Sequence, residues 1–465
     1  MNEEKRKSSL RLPAKASFYY IVSTIVGKGI GLILTPIFTR VMSAGEYGYF
    51  SYYISLLSIA SLISSIFLSP AVIYSGLGKF NDNKLKFENA TIILSFLINI
   101  GFCTLLFAFN RILSLDNQLI AFILVQNLFD SIIAAELLSG KFIYDYIKVV
   151  TINLLSSFLA PILSLFLIFI FKTGARGRIL GLLISAAFIS SILLIKRLAN
   201  LKLPEKDHLL FLLKNSIPLF PATIARAIMG WSDKLIVKST LGVEVLAKYS
   251  VAHTVGMGLF GLIGALSSAL NPWMIRKLSR ENKDSLVSVI KSLCELISFG
   301  SVIIIGLAPE IFSILAPDGY IDALYAIIPF AISTVPFFLF SVYSVIFTYL
   351  EKTKLISIYT LVGAGINLTL NLFLIKSLGY IGGAVAYLTA EAVMCLMASA
   401  SVKKEANYPR GIFVSAGFSI LFSILFAVIL SILYPYLPAR LILLIIPACL
   451  IVNRGFICID LAKEK

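Results

Sequence analysis

The chain has 465 residues, of which 58% are hydrophobic and only 14% are charged, and its mean hydropathy is +0.94. This balance excludes an ordinary soluble domain, in which about a quarter of the residues are charged. The net charge of +16 would suit a nucleic-acid partner. However, most Lys and Arg fall in alternate connections between apolar stretches, which is the pattern of membrane topology. We therefore expect no nucleic-acid partner.

Apolar stretches long enough to cross a bilayer recur along the whole chain. A helix needs about 20 apolar residues to span the hydrocarbon layer, and about 14 such stretches are present. They lie near 17–39, 47–70, 88–110, 117–139, 149–171, 177–196, 215–238, 245–273, 285–308, 321–350, 354–376, 379–402, 410–434 and 439–460. The sequence therefore predicts an all-α integral membrane protein with short connections.

The topology follows from the even number of spans and from the basic connections. Both termini fall on the side that is rich in Lys and Arg, so we expect them in the cytoplasm, with the protein in the inner (plasma) membrane. The predicted segments are an N-terminal tail (1–16), a first lobe of six spans (17–196), a cytoplasmic inter-lobe loop (197–214), a second lobe of six spans (215–402), and two further spans with a short tail (403–465).

The sequence carries signs of an internal duplication. Residues 39–51 read TRVMSAGEYGYFS and residues 238–250 read KSTLGVEVLAKYS. Each segment follows a helix that contains a charge, and each ends on an aromatic–serine pair that opens the next apolar helix. We therefore predict two pseudo-symmetric six-helix lobes, arranged as parallel repeats, followed by two C-terminal helices.

The first helix of each predicted lobe has a cation near its centre. These are Lys28 and Arg226. A charge at that depth costs roughly 2.5 kcal/mol or more, so it usually faces a partner or a water-filled cavity. We interpret the pair as matched sites for an anionic group, which Arg226 can bind bidentately. Arg40, Lys234 and Lys238 lie toward the outer ends of the same helices and extend this candidate set.

Acidic residues also lie within the predicted spans. Asp130 and Glu136 are in the fourth, Asp233 in the seventh and Glu391 in the twelfth. Asp130, Asp233 and Glu391 are candidates for binding a coupling ion or for pairing with a cation. The alternative that Lys28 and Arg226 form structural ion pairs with Asp130 or Glu391 stays open at this point.

No pattern in the sequence indicates catalysis, a metal or a cofactor. GKGIG (27–31) lies within a span and does not match a nucleotide-binding loop. The two histidines, His208 and His253, are far apart in the chain and do not form a zinc-binding pattern. We expect a protein that is not an enzyme and that has no cofactor.

Three stretches resemble a known family: 34–55, 217–257 and 366–393. The family pattern is a Pro-x-x-x-Arg before a Tyr-Gly pair, an Asp before a Tyr-Ser pair, and an Asn-x-x-x-Asn before a Gly-rich helix start. Here these residues are Pro36, Arg40, Tyr47 and Gly48; Asp233, Tyr249 and Ser250; and Asn367, Asn371, Gly379, Gly382, Gly383 and Ala384. The chain resembles the polysaccharide translocases, or O-antigen (Wzx-type) flippases. These belong to the multidrug/oligosaccharidyl-lipid/polysaccharide exporter superfamily, whose fold is MATE-like.

This resemblance implies a flippase that moves undecaprenyl-pyrophosphate-linked oligosaccharide units to the outer leaflet by alternating access. The implied pathway is the synthesis of O-antigen, capsule or another surface polysaccharide. The implied partners are the lipid-linked substrate, membrane lipids, and the polysaccharide polymerase and chain-length machinery. A cation-coupled drug exporter and a lipid II flippase remain alternatives with the same fold. A membrane glycan polymerase or ligase is disfavoured because no outer connection is long enough to hold its reactive residues.

Overall fold

The computed structural model describes the backbone of residues 3–108, 110, 116–198, 202–279, 283–406 and 411–463. Every regular element in these ranges is helical. In the absence of water, backbone N–H and C=O groups must be satisfied within the spanning segment, and a helix does this with its own residues. The prediction of an all-helical membrane protein is confirmed.

The chain divides into two compact units, and the first comprises residues 1–227. Six long helices account for most of it, and two short helices lie between them. The long helices are α1 (Glu3–Val41), α2 (Ala44–Ser64), α4 (Lys84–Ala108), α5 (Asn117–Phe142), α6 (Tyr146–Phe171) and α7 (Gly174–Leu198). The short helices are α3 (Pro70–Lys79) and α8 (Lys206–Ser216).

The segment 197–214, which we expected to be a loop, contains most of α8. Leu212 is fully buried on this helix and belongs to the same apolar cluster as Leu77 of α3 and Phe87 of α4. The His208 ring packs edge-on against Phe80, with 4.5 Å between the ring centroids. Burial of this apolar face stabilises a short helix that its own propensity would not maintain. The segment is therefore an integral part of the first unit.

The second unit comprises residues 228–465, and the boundary between the units falls within α9 (Phe220–Leu241). Its further helices are α10 (Val243–Gly256), α11 (Gly258–Ser279), α12 (Lys283–Gly306), α13 (Ala308–Leu315), α14 (Ile327–Ile332), α15 (Thr334–Tyr349), α16 (Thr353–Leu378), α17 (Tyr380–Ala406), α18 (Gly411–Ile432) and α19 (Leu437–Lys463).

Two predicted spans are interrupted well inside their lengths. The span 245–273 is divided into α10 and α11, where a β-carbon at Gly256 would lie 2.5 Å from Cβ of Phe330. The span 321–350 is divided into a 3₁₀ segment, α14 and α15. Pro329 and Pro336 lie in its interior and lack the N–H that a continuous helix would use. Hydropathy alone did not reveal either break because both segments are apolar throughout.

Among the described residues, ten helical segments are long and apolar enough to cross a membrane, and segments 417–432 and 437–451 form shorter apolar helices. The predicted total of about 14 stays a prediction. The units show the same local design: Gly174 and Gly379 both have positive φ, of 53° and 64°. Gly174 begins α7 and Gly379 directly precedes α17, so each starts the second helix of a hairpin. The predicted duplication stays a prediction.

Candidate functional site

The predicted cations lie in different environments. The side chain of Lys28 is outside the described residues, although the backbone of α1 is helical there. Arg226 is exposed on α9. Arg40 is exposed at the end of α1, where its Nη1 donates a hydrogen bond to the carbonyl of Pro36 at 3.1 Å. The Pro-x-x-x-Arg pattern thus includes a side-chain hydrogen bond from Arg40 back to the carbonyl one turn earlier in α1. Lys238 is half-buried.

Asp233 and Lys234 are both buried on α9, with exposed fractions of 2% and 7%. The Tyr249 hydroxyl donates a hydrogen bond to Oδ2 of Asp233. The Lys234 ammonium lies over the ring of Trp231, 4.5 Å from its centroid. A buried charge requires such compensation because desolvation is costly. Each of these two predicted site residues therefore has an aromatic partner, Tyr249 for Asp233 and Trp231 for Lys234.

Ser232, the residue before Asp233 on α9, contacts neutral polar side chains of α16. Ser232 donates to Oδ1 of Asn367 at 3.3 Å, and Asn371 donates to the same oxygen at 3.0 Å. Nδ2 of Asn367 and Oδ1 of Asn371 are buried and have no hydrogen-bond partner among the described residues. We call Ser232, Asp233, Tyr249, Asn367 and Asn371 the C-terminal polar cluster. Unsatisfied buried amide atoms commonly mark a bound water or ion.

The glycines of α17 allow this cluster to form. A β-carbon at Gly383 would lie 2.8 Å from the hydroxyl of Tyr249 and 3.6 Å from Cβ of Asp233. A β-carbon at Gly382 would lie 2.2 Å from the carbonyl oxygen of Leu374. Both glycines therefore permit close approach of helices, as small residues commonly do in membranes. The second and third sequence stretches of the family pattern meet here through Asp233, Tyr249 and Gly383.

In the first unit, Arg178 is a half-buried cation that the sequence analysis did not identify. Arg178 follows Gly174 at the spacing with which Gly383 follows Gly379. Its guanidinium carbon lies 3.8 Å from the ring centroids of both Phe38 and Phe50. Such cation–π contacts are worth up to about 2 kcal/mol when desolvated. Arg178 thus lies four residues after a glycine with positive φ, as Gly383 does in the second unit.

The other predicted acidic residues lie in separate units. Asp130 of α5 is half-buried, and Nε2 of Gln126 donates to its two carboxylate oxygens at 3.1 and 3.2 Å. Glu391 of α17 is buried, with 1% exposed. The structure does not place either residue in the C-terminal polar cluster. Among the described residues, no group of three or more His, Cys, Asp or Glu side chains could hold a metal ion.

The first unit contains a cluster of charged residues around Arg197. The sequence analysis did not identify it, because Arg197 was placed at the edge of a predicted loop. Its Nε donates to Oε1 of Glu136 at 3.0 Å, its Nη1 to Oδ1 of Asn89 at 2.8 Å, and its Nη2 to Oε2 of Glu88 at 2.9 Å. Lys148 also pairs with Glu136. We call Glu88, Asn89, Glu136, Lys148 and Arg197 the N-terminal ion network. The sequence signal for it was two glutamates within apolar helices.

Comparison with known proteins identifies the family. The family described as "Polysaccharide biosynthesis protein" matches residues 14–278, which is more than half of the chain. The chain belongs to the polysaccharide biosynthesis protein family. A search of curated proteins by sequence finds no match.

Solved structures of transporters share the fold of this family member. The lipid II flippase MurJ in an inward closed conformation matches with a TM-score of 0.70 and 17% identity, over 96% of this chain and 98% of that one. An inward-facing multidrug resistance MATE family transporter of the MOP superfamily matches with a TM-score of 0.60 and 14% identity, over 88% and 95%. A MOP superfamily transporter from Pyrococcus furiosus, described as having a binding pocket of reverse polarity, matches with a TM-score of 0.57 and 14% identity, over 90% and 97%.

These similarities show that this family member shares its fold with these transporters. The identities are too low to carry over a substrate. A fold hosts many functions, so the substrate must be argued from the chemistry of particular sites.

Proposed function

We propose that this protein is a flippase for undecaprenyl-pyrophosphate-linked oligosaccharide units. The observation that carries the proposal is the family match over residues 14–278, on a fold shared with a lipid flippase. Membership of a polysaccharide biosynthesis family favours a glycan intermediate as cargo. The transporter fold favours translocation over polymerisation or ligation. The surface polysaccharide that would be made is an O-antigen, a capsule or a related polymer.

The substrate explains why cations would lie within the first helix of each repeat. A pyrophosphate cannot enter hydrocarbon without replacing its hydration, and nearby cations provide that replacement. In the proposal Lys28 and Arg226 bind the pyrophosphate, while Arg40, Lys234 and Lys238 contact it or its sugars toward the outer end. A potential that is negative inside favours outward movement of an anion by about 2.3 kcal/mol per charge per 100 mV.

The C-terminal polar cluster is the best-supported place for a coupling cation. Asp233 supplies a buried carboxylate, and the preceding residue of α9, Ser232, is hydrogen-bonded to Asn367, so that neutral oxygens of Ser232, Asn367 and Asn371 adjoin it along the chain. Oxygen donors of this kind suit small hard cations and protons rather than soft metals. Asp130 and Glu391 remain secondary candidates for this role.

A lipid II flippase is a second candidate, favoured by the TM-score of 0.70 with that protein. The two cargoes share the undecaprenyl pyrophosphate and differ in their sugars. Expression in a strain depleted of its lipid II flippase distinguishes them, because only a lipid II flippase would restore growth. We expect no restoration of growth, together with restored surface glycan in a strain that lacks its own glycan flippase.

The cation hypothesis is tested with a double variant, Lys28→Gln with Arg226→Gln, in the strain that depends on this protein. We expect surface glycan to fall at least tenfold and lipid-linked units to accumulate, because each lost charge contact is worth about 1.4 kcal/mol or more. The matched control is Lys403→Gln with Lys404→Gln, which removes two exposed cations at the end of α17. Normal glycan in the first variant at equal expression would refute the assignment.

The proposed location is the inner membrane with both termini in the cytoplasm. A reporter that is active only in the cytoplasm, fused to either end of the chain, should give full activity. A reporter that is active only outside the cytoplasm should give none. The polysaccharide polymerase and chain-length proteins are proposed partners that would receive the translocated unit. Crosslinking in cells that express the whole pathway would test their contact.

A further inference from the structure

A cavity of about 600 Å³ lies in the first unit between α4, α5, α6 and α7. It is situated where α6 begins at Tyr146 and α7 ends at Leu198. Since the ends of spanning helices lie at the head-group level, this cavity opens at the surface of one leaflet. Its volume is within the range of sites that bind small molecules, about 300–1,000 Å³.

The charges that line this cavity balance each other. Three are acidic and three are basic: Glu88, Glu136, Asp145, Lys148, Lys196 and Arg197. The N-terminal ion network already pairs four of them, since Arg197 contacts both glutamates and Lys148 contacts Glu136. An anion alone or a cation alone would therefore meet no net attraction. A ligand that carries one charge of each sign matches the lining.

Asp145 and Lys196 form no ion pair within the described residues. Oδ1 of Asp145 accepts the backbone N–H of Lys148 at 3.1 Å and so caps α6, which leaves Oδ2 to accept another donor. Lys196 is exposed in the last turn of α7. One acceptor and one cation are thus available in the same cavity.

Exposed apolar side chains also line this cavity and lie on the outer surface of the helices. Ile147 is 67% exposed, Leu155 43% and Ile192 40%, and all three line the cavity. Exposed aliphatic side chains beside a charged recess fit an amphiphile, with its head group in the recess and its acyl chain along the helices. A soluble zwitterion would leave this apolar surface uncovered.

We propose that this cavity binds one phospholipid whose head group combines a phosphodiester with a primary ammonium. Lys196 contacts the phosphate, and Asp145 accepts a hydrogen bond from the ammonium. A primary ammonium has three N–H donors, whereas a quaternary ammonium has none. The site therefore selects phosphatidylethanolamine over phosphatidylcholine, and its balanced lining selects it over phosphatidylglycerol. Binding at this site does not depend on which glycan the protein transports.

Native mass spectrometry of the full-length protein in detergent tests the proposal, with each of the three phospholipids added in turn. We expect the wild type to retain one phosphatidylethanolamine and to retain the other two lipids about tenfold less, which corresponds to the loss of one charge-assisted contact. Lys196→Gln and Asp145→Asn should each lower that retention about tenfold. Asparagine still caps a helix, so Asp145→Asn keeps α6 intact.

The matched control is Lys404→Gln, which removes an exposed lysine from the last turn of α17. It should retain phosphatidylethanolamine as the wild type does, and the midpoint temperature of unfolding (Tm) checks that each variant is folded. Equal retention of phosphatidylglycerol, with loss only in Lys196→Gln, would overturn the proposal in favour of an anionic lipid. Absence of retention, or equal retention in every variant, would overturn it entirely.

Discussion

The hydroxyl of Tyr249 donates a hydrogen bond to the carboxylate of Asp233, and both side chains are almost completely buried. The two residues lie on consecutive helices, α9 and α10, which a turn at Gly242 separates. Gly383 of a third helix leaves room for the phenol. The contact therefore fixes the turn between α9 and α10.

Removal of this hydroxyl should weaken the second unit by a small but measurable amount. Tyr249→Phe keeps the ring and removes the donor to Asp233. Hydrogen bonds between membrane helices contribute about 0.6 kcal/mol on average and up to about 1.7 kcal/mol. We expect a Tm lower by a few degrees in detergent. Tyr349→Phe, at a tyrosine that is 42% exposed, should leave Tm unchanged, and an equal drop in both variants would contradict the prediction.

Close packing at Gly383 should make this position intolerant of even one methyl group. A β-carbon there would lie 2.8 Å from the Tyr249 hydroxyl, whereas a β-carbon at Gly365 would meet nothing within 4 Å. Overpacking a filled site costs about 1–3 kcal/mol. We expect Gly383→Ala to lower both Tm and transport, and Gly365→Ala to change neither. A Gly383→Ala protein that is as stable as the wild type would show that this corner is loosely packed.

The sequence predicted the long helices well because apolar runs bounded by charged connections determine them. The predicted span 149–171 corresponds to α6 (Tyr146–Phe171), and 354–376 corresponds to α16 (Thr353–Leu378). The break between α10 and α11 was not predictable in this way. It occurs where Gly256 packs against Phe330, a contact between residues distant in the chain that no local pattern encodes.

The sequence predicted several residues of the candidate site, but it did not predict which of them contact each other. Resemblance to a family drew attention to Asp233, Tyr249 and Asn367 separately, but only the fold shows which of them touch. Arg197 was assigned to a loop because hydropathy places a charged residue outside a span. Its burial depends on Glu136 and Glu88, which lie far upstream in the chain. A local sequence pattern does not predict charge pairing between residues so far apart in the chain.

The N-terminal ion network should respond strongly to loss of its central cation. Arg197→Met would leave Glu88 and Glu136 partly buried without their main partner. Breaking a buried ion pair on one side costs about 3–5 kcal/mol. We expect a large fall in Tm, or failure to accumulate in the membrane.

Adding Glu88→Gln to Arg197→Met should restore part of the lost stability, because Arg197 is the only ion-pair partner of Glu88 among the described residues, whereas Glu136 keeps Lys148. Arg176→Met is the matched control, since Arg176 is an exposed arginine near the start of the same helix. A double variant that is less stable than Arg197→Met alone would show that Glu88 does not depend on Arg197.

The pair formed by Glu310 and Arg440 should make stability depend on pH. Nη1 and Nη2 of Arg440 donate to the two carboxylate oxygens at 2.9 and 2.6 Å. These hydrogen bonds from Arg440 lower the pKa of Glu310 from its ordinary value, which is about 4.3. A lowered pKa in the folded state adds stability above the unfolded pKa, and this stability is lost as pH falls through the folded pKa. The difference in Tm between the wild type and Glu310→Gln should therefore be largest near neutral pH and should shrink below about pH 4. Glu351→Gln, at an exposed glutamate without an ion pair among the described residues, should show no such trend, and a constant difference for Glu310→Gln at every pH would refute the linkage.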